Sequence, residues 1–251
     1  MLLVIDIGNT RTKWALADTA GRLQETDVCL NEEIANANFQ KSKATKVLIS
    51  NVAGEEIAQQ VRQLLNPLPV HFVTAKPNAC GVKNLYATNL GIDRWAALVA
   101  AWHHTKHATV VVSAGTAITI DALSKGEFLG GTIMPGLHLL RDSLSQNTAL
   151  LKSQMDVAEG AYAEFPINTP DAIQTGCLSA VVGAIHLMQK RLEKRSGWLP
   201  KLVMTGGDAR FIAQALNVQA ANTGTKQVII IENLVLQGLV LLGKEIPESG
   251  D

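Results

Sequence analysis

Short apolar runs divide the chain into predicted strands, and several of these runs end at a glycine or an asparagine. Apolar runs of this length, bounded by turn residues, are typical of buried strands. Two further segments alternate between apolar and polar positions, which favours strands with one exposed face. The predicted strands cover residues 1–7, 11–17, 46–51, 69–74, 108–112, 117–123, 201–205 and 229–231.

Other segments place apolar residues three and four positions apart, the spacing of a helix with one buried face. The predicted helices cover residues 55–65, 92–105, 137–151, 169–195 and 233–242. Because strands alternate with helices along the chain, the pattern predicts a layered α/β fold.

The beginning of the chain is repeated further along it. Residues 4–16 (VIDIGNTRTKWAL) align with residues 111–123 (VVSAGTAITIDAL), and both copies read as a strand, a glycine turn and a second strand. Where the first copy has Asp6, the second has Ser113. We therefore predict two related domains, residues 1–106 and 107–251. The identical pairs are Val4/Val111, Gly8/Gly115, Thr12/Thr119, Ala15/Ala122 and Leu16/Leu123.

Composition narrows the class of protein. The 22 Lys and Arg residues balance 22 Asp and Glu residues, which argues against a strongly basic nucleic-acid binder and a polybasic membrane-surface protein. The sequence has neither a long uncharged apolar run nor a basic leader before its first apolar stretch. Three scattered cysteines do not suggest a disulfide framework or a zinc site. We expect a cytoplasmic protein with no nucleic-acid or membrane partner.

The segment DIGNTRTK (residues 6–13) combines groups that suit a nucleotide phosphate. Gly8, in the turn, lets backbone N–H groups approach a phosphate closely. Asp6 can hold the magnesium that accompanies ATP, usually through waters, and Lys13 can neutralise phosphate charge. The alternative is an ordinary hairpin turn in which Asp6 accepts local N–H groups. The sequence has no GxxxxGK[ST] motif, so this is not a P-loop.

Two more turns extend this hypothesis. SAGTAITID (residues 113–121) repeats the glycine turn, and two such turns would clamp a polyphosphate between the domains. TGGDARF (residues 205–211) follows a predicted strand, and its paired glycines would let an adenine or ribose lie against the backbone. The alternative for the last segment is a plain strand-to-helix turn, with Asp208 capping the helix.

These segments, together with GIDR (residues 91–94) and GGTIMPG (residues 130–136), resemble in content and order the type III pantothenate kinases. That family includes members known as Bvg accessory factors and belongs to the acetate kinase, sugar kinase, Hsp70 and actin superfamily. The resemblance implies two ribonuclease H-like (actin-like ATPase) domains with a nucleotide cleft between them. It also implies ATP-dependent phosphorylation of pantothenate to 4'-phosphopantothenate, the first step of coenzyme A biosynthesis.

The resemblance also assigns residue roles. Asp93 matches the general base, and Arg94 matches the residue that holds pantothenate. The resemblance places Thr169 against the pocket of the opposite subunit, which implies a homodimer. Without the resemblance, Asp93 would read as a helix N-cap beside a surface arginine. The implied substrate-binding residues are Tyr86, Gly91, Ile92, Asp93, Arg94 and Thr169.

For ATP, the turn chemistry and the resemblance indicate residues in both domains. Asp6 would hold Mg²⁺ with ATP, and Asp121 matches the ligand of a monovalent cation, K⁺ or NH₄⁺. The predicted ATP-binding residues are Asp6, Ile7, Gly8, Asn9, Thr10, Arg11, Thr12, Lys13, Thr116, Gly206 and Gly207.

One position departs from the family pattern DxGTAxT, because Ser113 stands where the family has an aspartate. Loss of a carboxylate from a magnesium–phosphate site weakens metal placement. The alternative function is therefore a catalytically impaired member that binds nucleotide or pantothenate and acts as an accessory or regulatory protein. A kinase of the same superfamily acting on a sugar or acetate is disfavoured by GIDR and Tyr86.

Overall fold

A computed structural model describes residues 1–39, 41–86, 89–147, 160–220 and 228–246. The chain forms two compact units: residues 1–106, 125–130 and 233–251 in the first, and residues 107–124 and 131–232 in the second. The strands are β1 (Leu2–Ile7), β2 (Arg11–Ala17), β3 (Leu23–Leu30), β4 (Lys46–Asn51), β5 (Val70–Phe72), β6 (Asn78–Ala79), β7 (Val82–Asn84), β8 (Thr109–Ala114), β9 (Ala117–Ser124), β10 (Glu127–Pro135), β11 (Lys201–Thr205) and β12 (Val228–Ile230). The helices are α1 (Glu55–Leu65), α2 (Ile92–Thr105), α3 (Leu137–Asn147), α4 (Thr169–Ser196), α5 (Ala209–Ala220) and α6 (Leu234–Gly243), and two short 3-10 helices cover Asn31–Asn36 and Lys41–Lys43.

The main sheet of the first unit has the strand order β3-β2-β1-β4-β5. Strand β1 lies at its centre, antiparallel to β2 and parallel to β4. Leu3, Ile5 and Ile7 of β1 are fully buried, with Val47 and Ile49 of β4 in the same apolar cluster. This burial fixes the register of β1, because a shift of one residue would move its core side chains to the other face.

Helices α2 and α6 pack closely within the first unit. Gly238 of α6 lies directly against the backbone of Ala96 in α2, where a larger residue has no room. This contact explains why residues 233–251 belong to the first unit, whereas the sequence-based division placed them with the second domain.

The strands of the second unit follow the order β12-β11-β8-β9-β10. Strand β8 is antiparallel to β9 and parallel to β11, the same arrangement that β1 makes with β2 and β4. The two segments of the sequence repeat therefore form equivalent hairpins. Asp6 pairs with Lys13 and Ser50, and Ser113 pairs with Thr119 and Thr205.

Helix α4 begins at a capped end and packs in the second unit. Asn168 precedes it and accepts a hydrogen bond from the Asp171 N–H at 2.9 Å, which satisfies one of the free amides of the first turn. Within the described residues, α4 is also the one helix of sufficient length and apolarity to cross a membrane. A core helix meets the same criteria, and α4 buries Leu178, Val181 and Ile185.

The sequence pattern predicted helix 92–105 with its correct bounds, but it missed β3, the short strands β6 and β7, β10 and α5. Most of β3 (LQETDVCL) is exposed, so it has no apolar periodicity to reveal it. Strand β10 contains the GGTIMPG segment, whose glycines and exposed positions obscure its strand character. The end of the predicted helix at residues 148–151 lies outside the described residues.

Candidate active site

The carboxylate of Asp6 lies at the end of the buried strand β1, beside Ser50 of β4. The fully buried Ser50 hydroxyl donates a hydrogen bond of 2.9 Å to Asp6 Oδ1. Burial raises the pKa of Asp6 to about 6. The Ser50 hydrogen bond and the charge of Lys13 lower this pKa, and the negative charge of Asp93 raises it. Two carboxylates within electrostatic reach of each other suit the binding of a cation.

The turn after β1 is closed by its own backbone. The Gly8 N–H donates to the Arg11 carbonyl oxygen at 3.0 Å, and a side chain at Gly8 would stand 3.2 Å from the same oxygen. Asn9, Thr10 and Arg11 are exposed at the tip. The exposed tip of the turn therefore begins at Asn9, three residues beyond Asp6.

The second carboxylate, Asp93, lies in the first turn of α2. Gly91 is the N-cap of this helix, and Asp93 Oδ1 accepts a hydrogen bond of 2.8 Å from the Arg94 N–H. A Cβ atom on Gly91 would lie only 2.6 Å from Asp93 Oδ1, so glycine at this position leaves the space that the carboxylate occupies. The alternative of an Asp N-cap beside a surface arginine is wrong on both points. The N-cap is Gly91, and Arg94 is 6% exposed.

Arg94 lies against two aromatic rings. Its guanidinium carbon is 5.3 Å from the centre of the Tyr86 ring and 5.7 Å from that of Phe128. The two rings are themselves stacked, with centres 5.6 Å apart and planes inclined by 23°. Cation–π contacts of this kind hold a guanidinium in a fixed orientation, which suits two-point binding of a carboxylate.

The strand ends of the second unit carry hydroxyl groups at the corresponding place. Ser113 lies between Thr119 of β9 and Thr205 of β11, in register with both. Thr119 and Thr205 are buried, and the Thr119 hydroxyl has no hydrogen-bond partner. Since paired residues on neighbouring strands point to the same face, the three hydroxyls share one face of the sheet.

The two glycine turns beside these hydroxyls depend on close backbone contacts. Gly206 has a φ of 103° and lies against the backbone of Ala114, an approach that no other residue would permit. Gly136, at the end of β10, lies against the carbonyl groups of Gly115 and Thr116, and its N–H donates to Thr116 at 2.9 Å. Gly115, Thr116, Gly206 and Gly207 are exposed residues beside these contacts.

Asp121 of β9 is 2% exposed, which is unusual for an ionisable side chain. Gly131 of β10 lies directly against Asp121 Oδ1 and the Ile120 carbonyl oxygen. Carboxylate and carbonyl oxygens are the ligands that a hard cation prefers. The Asp121 and Ile120 oxygens are therefore of the type that suits the predicted monovalent cation. Glycine is needed at position 131 because a side chain there would meet both oxygens.

Within the first unit, Asp6, Lys13 and Asp93 interact electrostatically, and Arg94 contacts Tyr86. In the second unit, Gly206 lies against Ala114, the last residue of β8. Thr116 follows the same strand and accepts a hydrogen bond from the Gly136 N–H. Thr169 is the first residue of α4 and half-buried. Across the described residues, no group of three or more His, Cys, Asp or Glu side chains forms a metal-binding cluster.

Sequence reasoning missed two residues of the first unit. Ser50 closes the apolar run KVLIS, and a polar residue at the end of a buried strand was the available signal. Phe128 carries no signal, because its contact with Arg94 depends on the pairing of β10 with β7.

Comparison with known proteins agrees with the motifs. Residues 2–191 match the type III pantothenate kinase family. The chain is 37% identical over 256 residues to the type III pantothenate kinase of Nitrosospira multiformis, covering 99% of this chain and 93% of that protein. It is 40% identical over 246 residues to that of Dechloromonas aromatica, covering 95% and 97%. These matches confirm the family resemblance.

Solved structures agree on the fold. A Baf family protein of Campylobacter jejuni, described as a transcriptional activator, matches with a TM-score of 0.63 and 25% identity, covering 97% of this chain and 98% of that one. A 2-dehydro-3-deoxygalactonokinase of Sinorhizobium meliloti matches with a TM-score of 0.57 and 12% identity, covering 96% and 97%. The predicted α/β fold of the sugar kinases and actin-like ATPases is confirmed.

The half-buried carboxylate of Asp6 makes the ligand-free protein less stable at neutral pH. Folding raises its pKa from 3.8 to about 6. Between these pH values the folded state binds more protons than the unfolded state, so the free energy of unfolding falls as the pH rises through 6. We expect Asp6→Asn, which keeps an acceptor for Ser50, to raise the Tm at pH 8 by a few degrees, since ~1 kcal/mol corresponds to about 2–4 °C at this size.

The gain should shrink as pH falls towards 4, which thermal denaturation of the ligand-free protein can follow. The control is Asp18→Asn, because the backbone N–H of Arg22 lowers the pKa of Asp18. That variant should give no gain at pH 8. An Asp6→Asn protein no more stable than wild type at pH 8 would show that the carboxylate is not destabilising.

Proposed function

The chain belongs to the type III pantothenate kinase family, and on that premise we propose that it transfers the γ-phosphoryl group of ATP to pantothenate. The products are ADP and 4'-phosphopantothenate, the first intermediate of coenzyme A biosynthesis. The observation that carries the proposal is the arrangement in the GIDR segment, where Gly91 leaves space for the Asp93 carboxylate and the neighbouring Arg94 is held by aromatic rings.

Asp93 acts as the general base in this proposal. Its carboxylate accepts the proton of the primary hydroxyl of pantothenate as the new oxygen–phosphorus bond forms and the bond to ADP breaks. Phosphoryl transfer needs mainly an in-line hydroxyl and neutralised phosphate charge, so the base only has to receive a proton late in the step. Asp93 lies in the first turn of α2, beside the Gly91 N-cap, so its carboxylate is held at the start of that helix.

Arg94 binds the carboxylate of pantothenate. Its guanidinium presents a planar set of N–H donors that match a carboxylate at two points, and its aromatic neighbours restrict its rotation. Tyr86 contributes its ring to the same pocket, together with the backbone of Gly91 and Ile92. The proposed pocket is thus formed around the start of α2.

ATP is held by the glycine turns of both units. In the first unit, residues 6–13 face the phosphates with backbone N–H groups of the turn and with the charge of Lys13. In the second unit, Thr116 contacts the phosphates and Gly206 and Gly207 lie against the adenosine. Asp6 holds Mg²⁺, which enters with ATP and offsets the negative charge of its phosphates.

Asp121 holds a monovalent cation, K⁺ or NH₄⁺. Its buried carboxylate and the nearby Ile120 carbonyl group, against Gly131, support this assignment. A single positive charge there would add positive potential for the phosphates.

We place the activity in the cytoplasm and in a homodimer. The cysteines of the chain, Cys29, Cys80 and Cys177, are all free, which fits a reducing compartment. Two apolar side chains just before α4, Phe165 and Ile167, are 82% and 97% exposed, and a second copy of the chain would cover them. Thr169 follows them and would reach the partner's pantothenate. A monomer mass by light scattering, unchanged with concentration, would exclude the dimer.

The activity is tested by measuring ADP release from ATP and Mg²⁺, with and without pantothenate, in potassium and in sodium buffer. We expect release that depends on pantothenate and is faster in potassium. ADP release that does not depend on pantothenate would contradict pantothenate as the substrate. Equal rates of release in potassium and sodium buffer would contradict only the monovalent cation site.

Gly91→Ala tests whether the position of Asp93 matters. The added methyl would displace the carboxylate, and a displacement of about 1 Å from the reactive geometry costs up to ~100-fold in rate. We expect kcat to fall at least about tenfold while the Tm changes by no more than about 2 °C, since a rotatable side chain gives way. As a control, Gly183→Ala, where nothing lies within 4 Å, should leave kcat unchanged. An unchanged kcat in Gly91→Ala would show that Asp93 is not the base.

A second function is favoured by one observation. Ser113 and its neighbours Thr119 and Thr205 give the second unit hydroxyls where the family has a carboxylate. A protein with such a site could bind nucleotide without rapid transfer and act as an accessory or regulatory protein. The name given to the Campylobacter jejuni protein points to the same class.

Ser113→Asp separates the two functions. If the chain is catalytically impaired, restoring the carboxylate should raise kcat by ~100-fold or more, the magnitude of a lost electrostatic contact in a transition state. Ser113→Asn, which adds similar bulk without charge, is the control. We expect a change of less than about threefold in both variants, which would mean that the hydroxyls suffice and the chain is an active kinase.

A further inference from the structure

Asn31, the first residue after β3, makes hydrogen bonds to the turn between β1 and β2. The Asn31 side-chain amide donates to the Gly8 carbonyl oxygen at 2.7 Å, and its side-chain oxygen accepts from the Thr12 hydroxyl at 2.8 Å. The Asn31 backbone N–H donates to the Thr10 carbonyl oxygen at 3.0 Å. Three hydrogen bonds from one residue therefore reach both sides of the turn.

An asparagine is suited to this place by its chemistry. The side chain must donate to a carbonyl group and accept from a hydroxyl at the same time, which a neutral amide does and a carboxylate does not. Thr12 is fully buried, so its hydroxyl depends on Asn31 for a partner. An aspartate would also bring a third negative charge to a region that already contains Asp6 and Asp93.

These bonds determine where the turn directs its amides. The peptide group is planar and trans, so the carbonyl oxygen of one residue and the N–H of the next point in opposite directions. Because the Gly8 carbonyl oxygen points to Asn31, the N–H of Asn9 points away from Asn31. Asn9 is exposed at the tip of the turn, where a ligand can reach it.

We propose that Asn31 is a positioning residue for the nucleotide, which orients the Asn9 N–H and the turn backbone towards the phosphates of ATP. This inference rests on the proposed ATP contacts of residues 6–13. Asn31 does not itself touch the substrate. A purely structural role would lower stability without changing the affinity for ATP, whereas a positioning role changes that affinity selectively.

The test compares Asn31→Ala and Asn31→Asp with Asp18→Ala. Asp18 is a matched control, because it braces the turn at the other end of β2 with bonds from the Arg22 backbone N–H (2.9 Å) and Arg22 Nε (2.8 Å). For each protein, the KM for ATP, the KM for pantothenate, kcat and the Tm are measured, and ATP binding is followed by calorimetry.

We expect Asn31→Ala to raise the KM and the dissociation constant for ATP about tenfold, the effect of losing one or two hydrogen bonds. The KM for pantothenate should stay within about twofold. Asn31→Asp keeps the size of the side chain and the acceptor for Thr12, so it provides the test if the alanine variant is unstable, and its KM for ATP should rise further. Asp18→Ala should leave both KM values unchanged.

Lys13→Ala distinguishes failure of this inference from failure of the proposed ATP site. If Lys13→Ala weakens ATP binding and both Asn31 variants do not, the role of Asn31 is overturned and the site stands. If neither Lys13→Ala nor the Asn31 variants change ATP binding, the proposed site on this turn is wrong, and the inference fails with it. An equal rise in the KM values of ATP and pantothenate would also overturn the positioning role.

Discussion

The first unit is organised around a carboxylate that its central strand holds out of full contact with water. The residues of β1 that face the core are fully buried, so Asp6 cannot move away without disturbing the sheet. Burial raises its pKa to about 6, and the Ser50 hydroxyl only partly offsets this effect. A group held in this way destabilises the ligand-free fold when ionised, which is typical of groups kept for function rather than for stability.

Other charged side chains of the first unit lie around Asp6 and the start of α2. Asp93 lies near enough to raise the pKa of Asp6, and its carboxylate is accommodated because residue 91 has no side chain. Two carboxylates together favour binding of a cation, and Lys13 supplies positive charge beside them. Arg94 lies against the rings of Tyr86 and Phe128, which restrict the orientation of its guanidinium. The same short segment, GIDR, thus carries the proposed base and the proposed anion-binding group.

The second unit repeats the hairpin but not its charge. Ser113 occupies the position equivalent to Asp6, and the groups beside it are the hydroxyls of Thr119 and Thr205. The glycines around this site are retained because the backbone approaches are too close for any side chain, as at Gly206 against Ala114. The second unit therefore has the same hairpin geometry as the first, with a serine in place of the aspartate.

The sequence pattern predicted most strands and helices, since apolar periodicity reports burial and glycine marks the turns. The turn chemistry singled out Asp6, and the family resemblance singled out Asp93; both stay proposed site residues. The polar residue Ser50 stands out at the end of its apolar run, but its contact with Asp6, 44 residues away, was not predictable. The same holds for the contact of Asn31 with Gly8, 23 residues away. Strand β3, which delivers Asn31, is largely exposed and has no apolar pattern. Sheet pairing brings these residues together, and local sequence contains no record of it.

If Asp93 takes the proton of the attacking hydroxyl, its loss must slow the chemical step itself, which a single-turnover experiment measures. The enzyme is mixed in excess over radiolabelled ATP with saturating pantothenate, and phosphoryl transfer is quenched at successive times in wild type and Asp93→Asn. We expect the transfer rate of the variant to be lower by ~100- to 10,000-fold, the contribution of a general base, while calorimetry shows that pantothenate still binds. Equal transfer rates in the two proteins would contradict the assignment of Asp93 as the base.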